Sequence, residues 1–151
     1  MISRTIEDYL EAILNLIEKR GEARTKDIAD TLDIKPPSVT EMVQKLSEER
    51  LVNYKRYSAT SLTAKGKRIA SRVKEKREII VKLLKTIQIP KEVAKRDACL
   101  IGHQLNPTTV EQLRKFVNFV ENASVSQRWI RHFKEYSETG ECPPECRVKQ
   151  R

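Results

Sequence analysis

Long apolar runs are absent from this sequence of 151 residues. A helix that crosses a bilayer needs about 18 consecutive apolar residues, and no such stretch occurs. The N-terminal segment places Arg4, Glu7, Asp8 and Glu11 close together, which does not suit the apolar core of a secretory signal peptide. We therefore expect a cytoplasmic protein with no membrane partner.

Cysteine is scarce too. The sequence has three cysteines, Cys99, Cys142 and Cys146, and an odd number does not suit the paired framework of a small secreted protein. Free thiols or metal ligands fit better. The sequence also has no glycine-rich phosphate loop, no nucleophile elbow and no paired acid and base. We predict that the protein is not an enzyme.

Positive charge is plentiful. Thirty Lys and Arg residues against 21 Asp and Glu residues give a net charge of +9 and a pI near 9.6. Such a balance favours a polyanionic partner, which could be DNA, RNA or an anionic membrane surface. The excess is densest in residues 71–100, where a solvated helix face explains it as well as a partner does.

Apolar periodicity predicts a mainly α protein. Ser3, Thr25 and Thr63 are expected N-caps, and Pro90 is expected at the first position of its helix. Gly21 is expected just past the end of the first helix, and Asn106-Pro107 at the start of the helix that runs to residue 122. Two short β-prone runs in residues 51–62, separated by basic residues, predict a hairpin. The predicted helices span residues 3–19, 25–32, 36–49, 64–87, 90–104, 107–122 and 124–140.

The stretch of residues 33–57 predicts a recognition helix followed by a basic wing, and thus a winged helix-turn-helix. Polar side chains near the start of this helix would contact base edges, while the hairpin would contact phosphates. Some winged helices serve only to dock other proteins, and that alternative stays open. The expected DNA contacts are Lys35, Pro36, Pro37, Ser38, Thr40, Glu41, Gln44, Lys45, Lys55 and Arg56.

Four segments carry a resemblance to a known family. They read IEDYLEAILNLIE, KPPSVTEMVQKLSEERLV, LTAKGKRIA and the stretch from Cys99 to His103. With these, the chain resembles the diphtheria toxin repressor and manganese transport regulator family over about residues 1 to 122. The resemblance implies a homodimer that binds a palindromic operator. It divides the chain into a DNA-binding domain, residues 1–70, a helical dimerisation and effector domain, residues 71–140, and a cysteine-containing tail, residues 141–151.

The resemblance also implies a divalent metal held by the first helix, the long helix and the helix after it, which fixes the DNA-binding domains relative to the dimer core. Asp8 and Glu11 match the acidic pair of manganese-type members, and Cys99 and His103 match ligand positions of iron-type members. Thiolate and imidazole together suit Fe²⁺, Co²⁺, Ni²⁺ or Zn²⁺ better than Mn²⁺. Fe²⁺ is the expected ion.

Two family ligands are replaced. Arg77 stands where the family has a histidine, and Gly102 stands where it has a glutamate. A fixed guanidinium beside Asp8 and Glu11 would compete with a divalent ion. This gives the hypothesis that Arg77 replaces the metal and keeps the regulator competent without it.

The tail offers a different centre. Cys142 and Cys146 enclose Pro-Pro-Glu, and together with Cys99 they could hold Zn²⁺ or an iron–sulfur cluster. One alternative is a tail whose two thiols are oxidised reversibly and hold no metal. The other is a disulfide that switches with redox state.

The sequence thus predicts a dimeric transcriptional regulator, a repressor by expectation, that responds to metal, to an iron–sulfur cluster or to redox state. A metal-independent regulator remains an alternative. So does a scaffold or metal-storage protein that does not bind DNA.

Overall fold

The computed structural model describes residues 3–146, apart from the side chains of residues 125, 126 and 146. The chain divides into two compact units, which span residues 1–75 and 76–151. Among the described helices, none combines the length and apolar character needed to cross a membrane.

The first unit opens with three helices and a small hairpin. Ser3 caps the first helix by accepting a hydrogen bond from the Ile6 amide (3.4 Å), and Gly21 ends it in the left-handed region (φ 82°) that glycine tolerates best. Both ends match the prediction. The elements are α1 (Arg4–Arg20), α2 (Thr25–Leu32), α3 (Pro36–Glu48), β1 (Val52–Asn53) and β2 (Ser61–Leu62).

A tight turn joins α2 to α3 in the manner of a helix-turn-helix. Asp33 adopts a left-handed conformation (φ 55°) at the end of α2, and Lys35 precedes the proline pair that begins α3. Thr25 is the first residue of α2, and the extended Arg24 is its N-cap, with no side-chain hydrogen bond. The prediction that Thr25 caps α2 was therefore wrong.

The hairpin is short but fixed at its base. Val52 pairs with Leu62 and Asn53 with Ser61, in antiparallel register. An isolated bridge from Thr60 to Ala23, with a Thr60 amide to Ala23 carbonyl distance of 2.8 Å, ties the hairpin to the residues before α2. This arrangement is the predicted wing.

One hydrophobic core holds the first unit together. Its largest fully buried apolar side chains come from α1 (Leu10, Ile13), α2 (Ile28), α3 (Val39, Val43, Leu46) and the start of the hairpin (Leu51). Because α3 places Val39, Val43 and Leu46 on one side, its opposite side is left for solvent or a partner.

The second unit is helical. Its helices are α4 (Ala64–Thr86), in which the unit boundary falls, α5 (Lys91–Gly102), α6 (Pro107–Asn122) and α7 (Ser124–Thr139). Asn106 caps α6 by accepting from the Thr108 amide (2.9 Å), and Gly140 (φ 75°) ends α7. Pro90 is the N-cap of α5 and not its first residue, so that prediction was off by one position.

A smaller core lies in the second unit. Ile79 of α4 packs with Val110 and Val117 of α6, and Leu83, Leu105 and Leu113 pack against them. A short 3-10 helix, Pro144–Cys146, follows α7. The mainly α fold class, with an N-terminal winged helix-turn-helix and a helical second part, is confirmed.

Candidate DNA interface and metal ligands

The exposed side of α3 carries the side chains that the sequence proposes for DNA contact. Thr40 is half-buried, and its hydroxyl donates to the Pro36 carbonyl oxygen (3.2 Å), so it supports the helix start as well. The other seven are exposed: Lys35, Pro36, Pro37, Ser38, Glu41, Gln44 and Lys45. The two prolines have no amide hydrogen, so neither of them adds an unsatisfied donor to the first turn of α3.

The hairpin tip carries the two basic side chains proposed for phosphate contact. Lys55 and Arg56 are both exposed, and the Ser58 amide donates to the Lys55 carbonyl oxygen (3.0 Å) to close the tip. A side-chain hydrogen bond from Asn53 Nδ2 to Ser61 Oγ (3.1 Å) reinforces the strands behind them. The tip therefore projects from strands that these hydrogen bonds hold in place.

A polar pocket of about 420 Å³ lies between the start of α2 and the hairpin. The first amides of α2 have no side-chain cap, so the positive end of this helix is available to an anion. Sequence reasoning missed this site, although two basic residues beside the start of the first helix of a helix-turn-helix could have indicated it. The lining residues are Arg24, Thr25, Lys26, Thr40, Tyr54, Arg56, Tyr57 and Ser58.

One acidic side chain reduces the positive charge at this pocket. Arg24 Nε lies 2.7 Å from Glu22 Oε1, and this hydrogen bond lowers the pKa of Glu22 below its usual value. The Glu22 carboxylate offsets part of the charge of Arg24. Lys26 and Arg56 remain as the cations that an anion would meet.

The proposed metal ligands of the first unit lie on α1. Glu11 is buried, with 4% of its surface exposed, and Asp8 is half-buried, with Arg4 Nε 3.9 Å from its carboxylate. The spacing of three residues places both carboxylates on one side of the helix. A buried carboxylate needs a cation, a hydrogen-bond donor or a proton, so Glu11 suits the role of a metal ligand.

The proposed metal ligands of the second unit lie at the end of α5. Cys99 is half-buried in the last turn, and His103 follows as the C-cap in a helical conformation. Arg77 of α4 donates from Nη2 to Cys99 Sγ across 3.3 Å. The thiol and the imidazole are four residues apart, a spacing that places both on one side of a helix. Both are ligand types that divalent transition metals accept, and a metal at Cys99 would replace its hydrogen bond from Arg77.

Cys142 of the tail lies against the aromatic side of α7. Cys142 and the buried Pro143 line a pocket of about 200 Å³ together with Trp129, His132, Phe133 and Tyr136. The side chain of Cys146 lies outside the described part, so the centre of Cys99, Cys142 and Cys146 stays a prediction. Two aromatic rings of α6, Phe116 and Phe119, are 42% and 62% exposed.

Two family descriptions match this chain, and together they cover most of its length. Residues 1–60 match the family described as iron dependent repressor, N-terminal DNA binding domain. Residues 63–128 match its metal binding and dimerisation domain.

Two curated relatives are both named HTH-type transcriptional regulator MntR. The protein from Oceanobacillus iheyensis is 37% identical over 81% of this chain and 83% of its own length. The protein from Bacillus subtilis is 33% identical over 91% of this chain and 97% of its own. Neither relative is named as an enzyme.

Solved structures agree with these relatives. The T. acidophilum IdeR structure has a TM-score of 0.68 at 28% identity, over 78% of this chain and 56% of that one. The manganese regulator SloR has a TM-score of 0.65 at 33% identity, over 76% and 54%. With the family matches over residues 1–60 and 63–128, these similarities show that the chain belongs to the iron-dependent repressor family of transcriptional regulators.

Proposed function

We propose that the protein is a homodimeric, sequence-specific DNA-binding transcriptional repressor that responds to a divalent transition metal. The observation that carries the proposal is the exposed polar side of α3 beside a basic hairpin, both presented by one unit. The names of the curated relatives support it.

In this proposal the N-terminal part of α3 enters the major groove of an operator half-site. Ser38, Glu41 and Gln44 offer donors and acceptors to base edges, and Lys35 and Lys45 contact phosphates or bases beside them. Lys55 and Arg56 of the hairpin contact the DNA backbone, and their charges supply affinity and salt dependence. The uncapped start of α2 adds a further phosphate site at the polar pocket.

A homodimer would explain the exposed apolar surface of the second unit. A contiguous apolar patch on a protein surface marks an interaction site, and a dimer interface in this unit would cover such a patch. Sedimentation of the wild type and of Phe119→Glu would test the dimer, since a charge in its interface should favour the monomer. The exposed side chains in question are Ile87, Val93, Leu100, Ile101, Phe116, Phe119, Trp129 and Tyr136.

The proposed metal ligands are Asp8, Glu11, Cys99 and His103. They supply two carboxylates, a thiol and an imidazole, a donor set that favours Fe²⁺, with Mn²⁺, Co²⁺, Ni²⁺ and Zn²⁺ as competitors. A bound ion would hold its ligands together, and the residues of this chain set which ion binds. The buried carboxylate of Glu11 and the placement of Cys99 and His103 at the end of α5 support this set.

A metal-independent regulator is the second candidate, because one contact favours it. The Arg77 guanidinium donates to the Cys99 thiol, so a cation already occupies the surroundings of a proposed ligand. If Arg77 replaces the metal, chelators leave operator affinity unchanged. A strong loss of affinity on chelation would instead show that a metal is required.

Selection of bound fragments from random duplex DNA tests the DNA-binding part. Recovery of an inverted repeat supports a dimeric regulator, because the two-fold axis of the protein imposes the same symmetry on its site. Recovery of no enriched sequence contradicts it and favours the scaffold or storage alternative.

Elemental analysis and a visible spectrum of anaerobically purified protein test the metal. One equivalent of a divalent ion that is lost in Cys99→Ser and Asp8→Asn supports the proposed ligands. A brown protein whose absorption is lost in Cys142→Ser would point instead to an iron–sulfur centre at Cys99, Cys142 and Cys146.

A further inference from the structure

The tip of the hairpin exposes an aromatic side chain. Tyr57 is 88% exposed, more than any other large apolar or aromatic side chain of the described residues. Its backbone is also left-handed, with φ of 65°, a conformation that a bulky residue seldom adopts. A ring with so little contact to the fold, on a strained backbone, contributes little to folding. These two features point to a role outside the fold.

The guanidinium of Arg56 contacts this ring. The Cζ atom of Arg56 lies 5.0 Å from the centroid of the Tyr57 ring, within cation–π distance. Within residues 3–146 no carboxylate forms a salt bridge with Arg56, and its guanidinium contacts the Tyr57 ring instead. The contact limits the rotamers that the long side chain of Arg56 can sample, and a group held in place loses less entropy when it binds.

The base below the pair is firmly tied. Asn53 and Ser61 pair both as backbone and as side chains, and the Thr60 amide donates to the Ala23 carbonyl oxygen. The pair of Arg56 and Tyr57 therefore projects from a fixed platform in the unit that also presents α3.

We propose that Arg56, positioned by Tyr57, inserts into the minor groove of the DNA that flanks the segment contacted by α3, and prefers A·T pairs there. The inference rests on the proposed DNA-binding function and deepens it. A guanidinium is a flat cation, which suits a groove about 6 Å wide, whereas a point charge such as that of Lys55 suffices for a phosphate. Narrow A·T segments have the most negative potential, and guanine places its N2 amino group in the way.

Base analogues separate this contact from all major-groove contacts. Replacing guanine by inosine removes the N2 amino group, and replacing adenine by 2,6-diaminopurine adds one, while the major-groove pattern of each pair is kept. Fluorescence anisotropy with the full-length protein would compare a mixed-sequence duplex of about 30 base pairs, three helical turns, with its two substituted versions. We expect the inosine duplex to bind about 5-fold tighter than the diaminopurine duplex.

Five variants test whether Arg56 and Tyr57 produce that ratio. Tyr57→Ala and Arg56→Lys should bring it close to one, and their double variant should lose no more than either alone. Tyr57→Phe keeps the ring and should keep the ratio. Gln44→Ala, which alters the proposed major-groove contact and not the hairpin tip, should leave the ratio intact.

Each other result contradicts the inference. Equal binding of all three duplexes by the wild type overturns the minor-groove contact but leaves DNA binding by α3 standing. Discrimination that survives in Tyr57→Ala overturns the positioning role of the ring, and far-UV circular dichroism would show that this exposed substitution keeps the fold. Failure to bind any duplex overturns the proposed DNA-binding function itself.

Discussion

Replacement of Gly66 by alanine should unfold the first unit more easily, although alanine favours helices. Gly66 is the third residue of α4, where the propensity scale alone predicts a gain of about 1 kcal/mol for Ala over Gly. A Cβ atom at this position would lie only 1.9 Å from the carbonyl oxygen of Leu51. The absence of a side chain at Gly66 therefore allows α4 to approach the start of the hairpin.

The magnitude follows from that distance. Ordinary contact begins near 3.4 Å, so the backbone of Leu51 or Gly66 must move by 1.5 Å (3.4 − 1.9). The amide of Thr63 donates to the same Leu51 oxygen (3.1 Å), and the Thr63 hydroxyl shares its hydrogen between Arg50 (2.8 Å) and Leu51 (3.0 Å). Overpacking costs about 1–3 kcal/mol, and each weakened hydrogen bond about 1 kcal/mol. After the gain in propensity, we expect a net loss of about 2–4 kcal/mol.

Thermal unfolding by far-UV circular dichroism, with a chelator present throughout, would measure the effect. A loss of this size lowers the midpoint by about 10 °C or more for a unit of this length. Gly102→Ala is a matched control, because its Cβ would meet Ile80 Cδ1 at 3.4 Å and Lys76 Cε at 3.8 Å, both ends of flexible side chains. A Gly66→Ala variant as stable as Gly102→Ala would refute the steric reasoning.

Three further predictions concern stability and DNA affinity. Thr63→Ala removes the acceptor of the Gly66 amide (3.1 Å) and the hydroxyl that donates to the Arg50 and Leu51 carbonyl oxygens, and should cost about 1–2 kcal/mol in urea unfolding. Thr108→Ala, on the exposed start of α6, is its control. Burial raises the pKa of Tyr9, so the neutral phenol stabilises the folded state below its usual pKa of about 10, and this contribution is lost as the pH rises through the folded-state value. Tyr9→Phe should therefore lose less stability than the wild type above pH about 10, and an identical alkaline decline would contradict this. Lys55→Gln should reduce the slope of log affinity against log salt by about 0.9, and an unchanged slope would remove Lys55 from the phosphate contacts.

Local signals predicted most helix ends correctly. Ser3 and Asn106 cap their helices, and Gly21 and Gly140 end theirs, because capping depends on residues within one turn of each other. Thr25 failed because the bridge from Ala23 to Thr60 extends the chain just before α2, so that Arg24 takes the cap position. That bridge joins residues distant in sequence, and no local pattern carries it.

In the candidate site, too, local sequence predicted some features, while others depend on residues distant in sequence. The exposed side of α3 could be predicted because Val39, Val43 and Leu46 define its buried side by their spacing. The role of Gly66 could not, since its steric partner Leu51 lies outside its helix. Family resemblance singled out Arg77 and Cys99, but their hydrogen bond depends on how α4 and α5 pack.

Sequence-specific contact by α3 is the central claim, and Gln44 tests it most directly. The measurement is the ratio of affinities for a selected inverted repeat and for a mixed-sequence duplex, in the wild type, in Gln44→Ala and in Gln127→Ala, the same change at an exposed position of α7. A lost base contact costs about 1–3 kcal/mol, so Gln44→Ala should bind the inverted repeat about 10-fold more weakly and the mixed duplex unchanged. Gln127→Ala should behave as the wild type. An equal loss on both duplexes, or no loss on either, would contradict base recognition by α3.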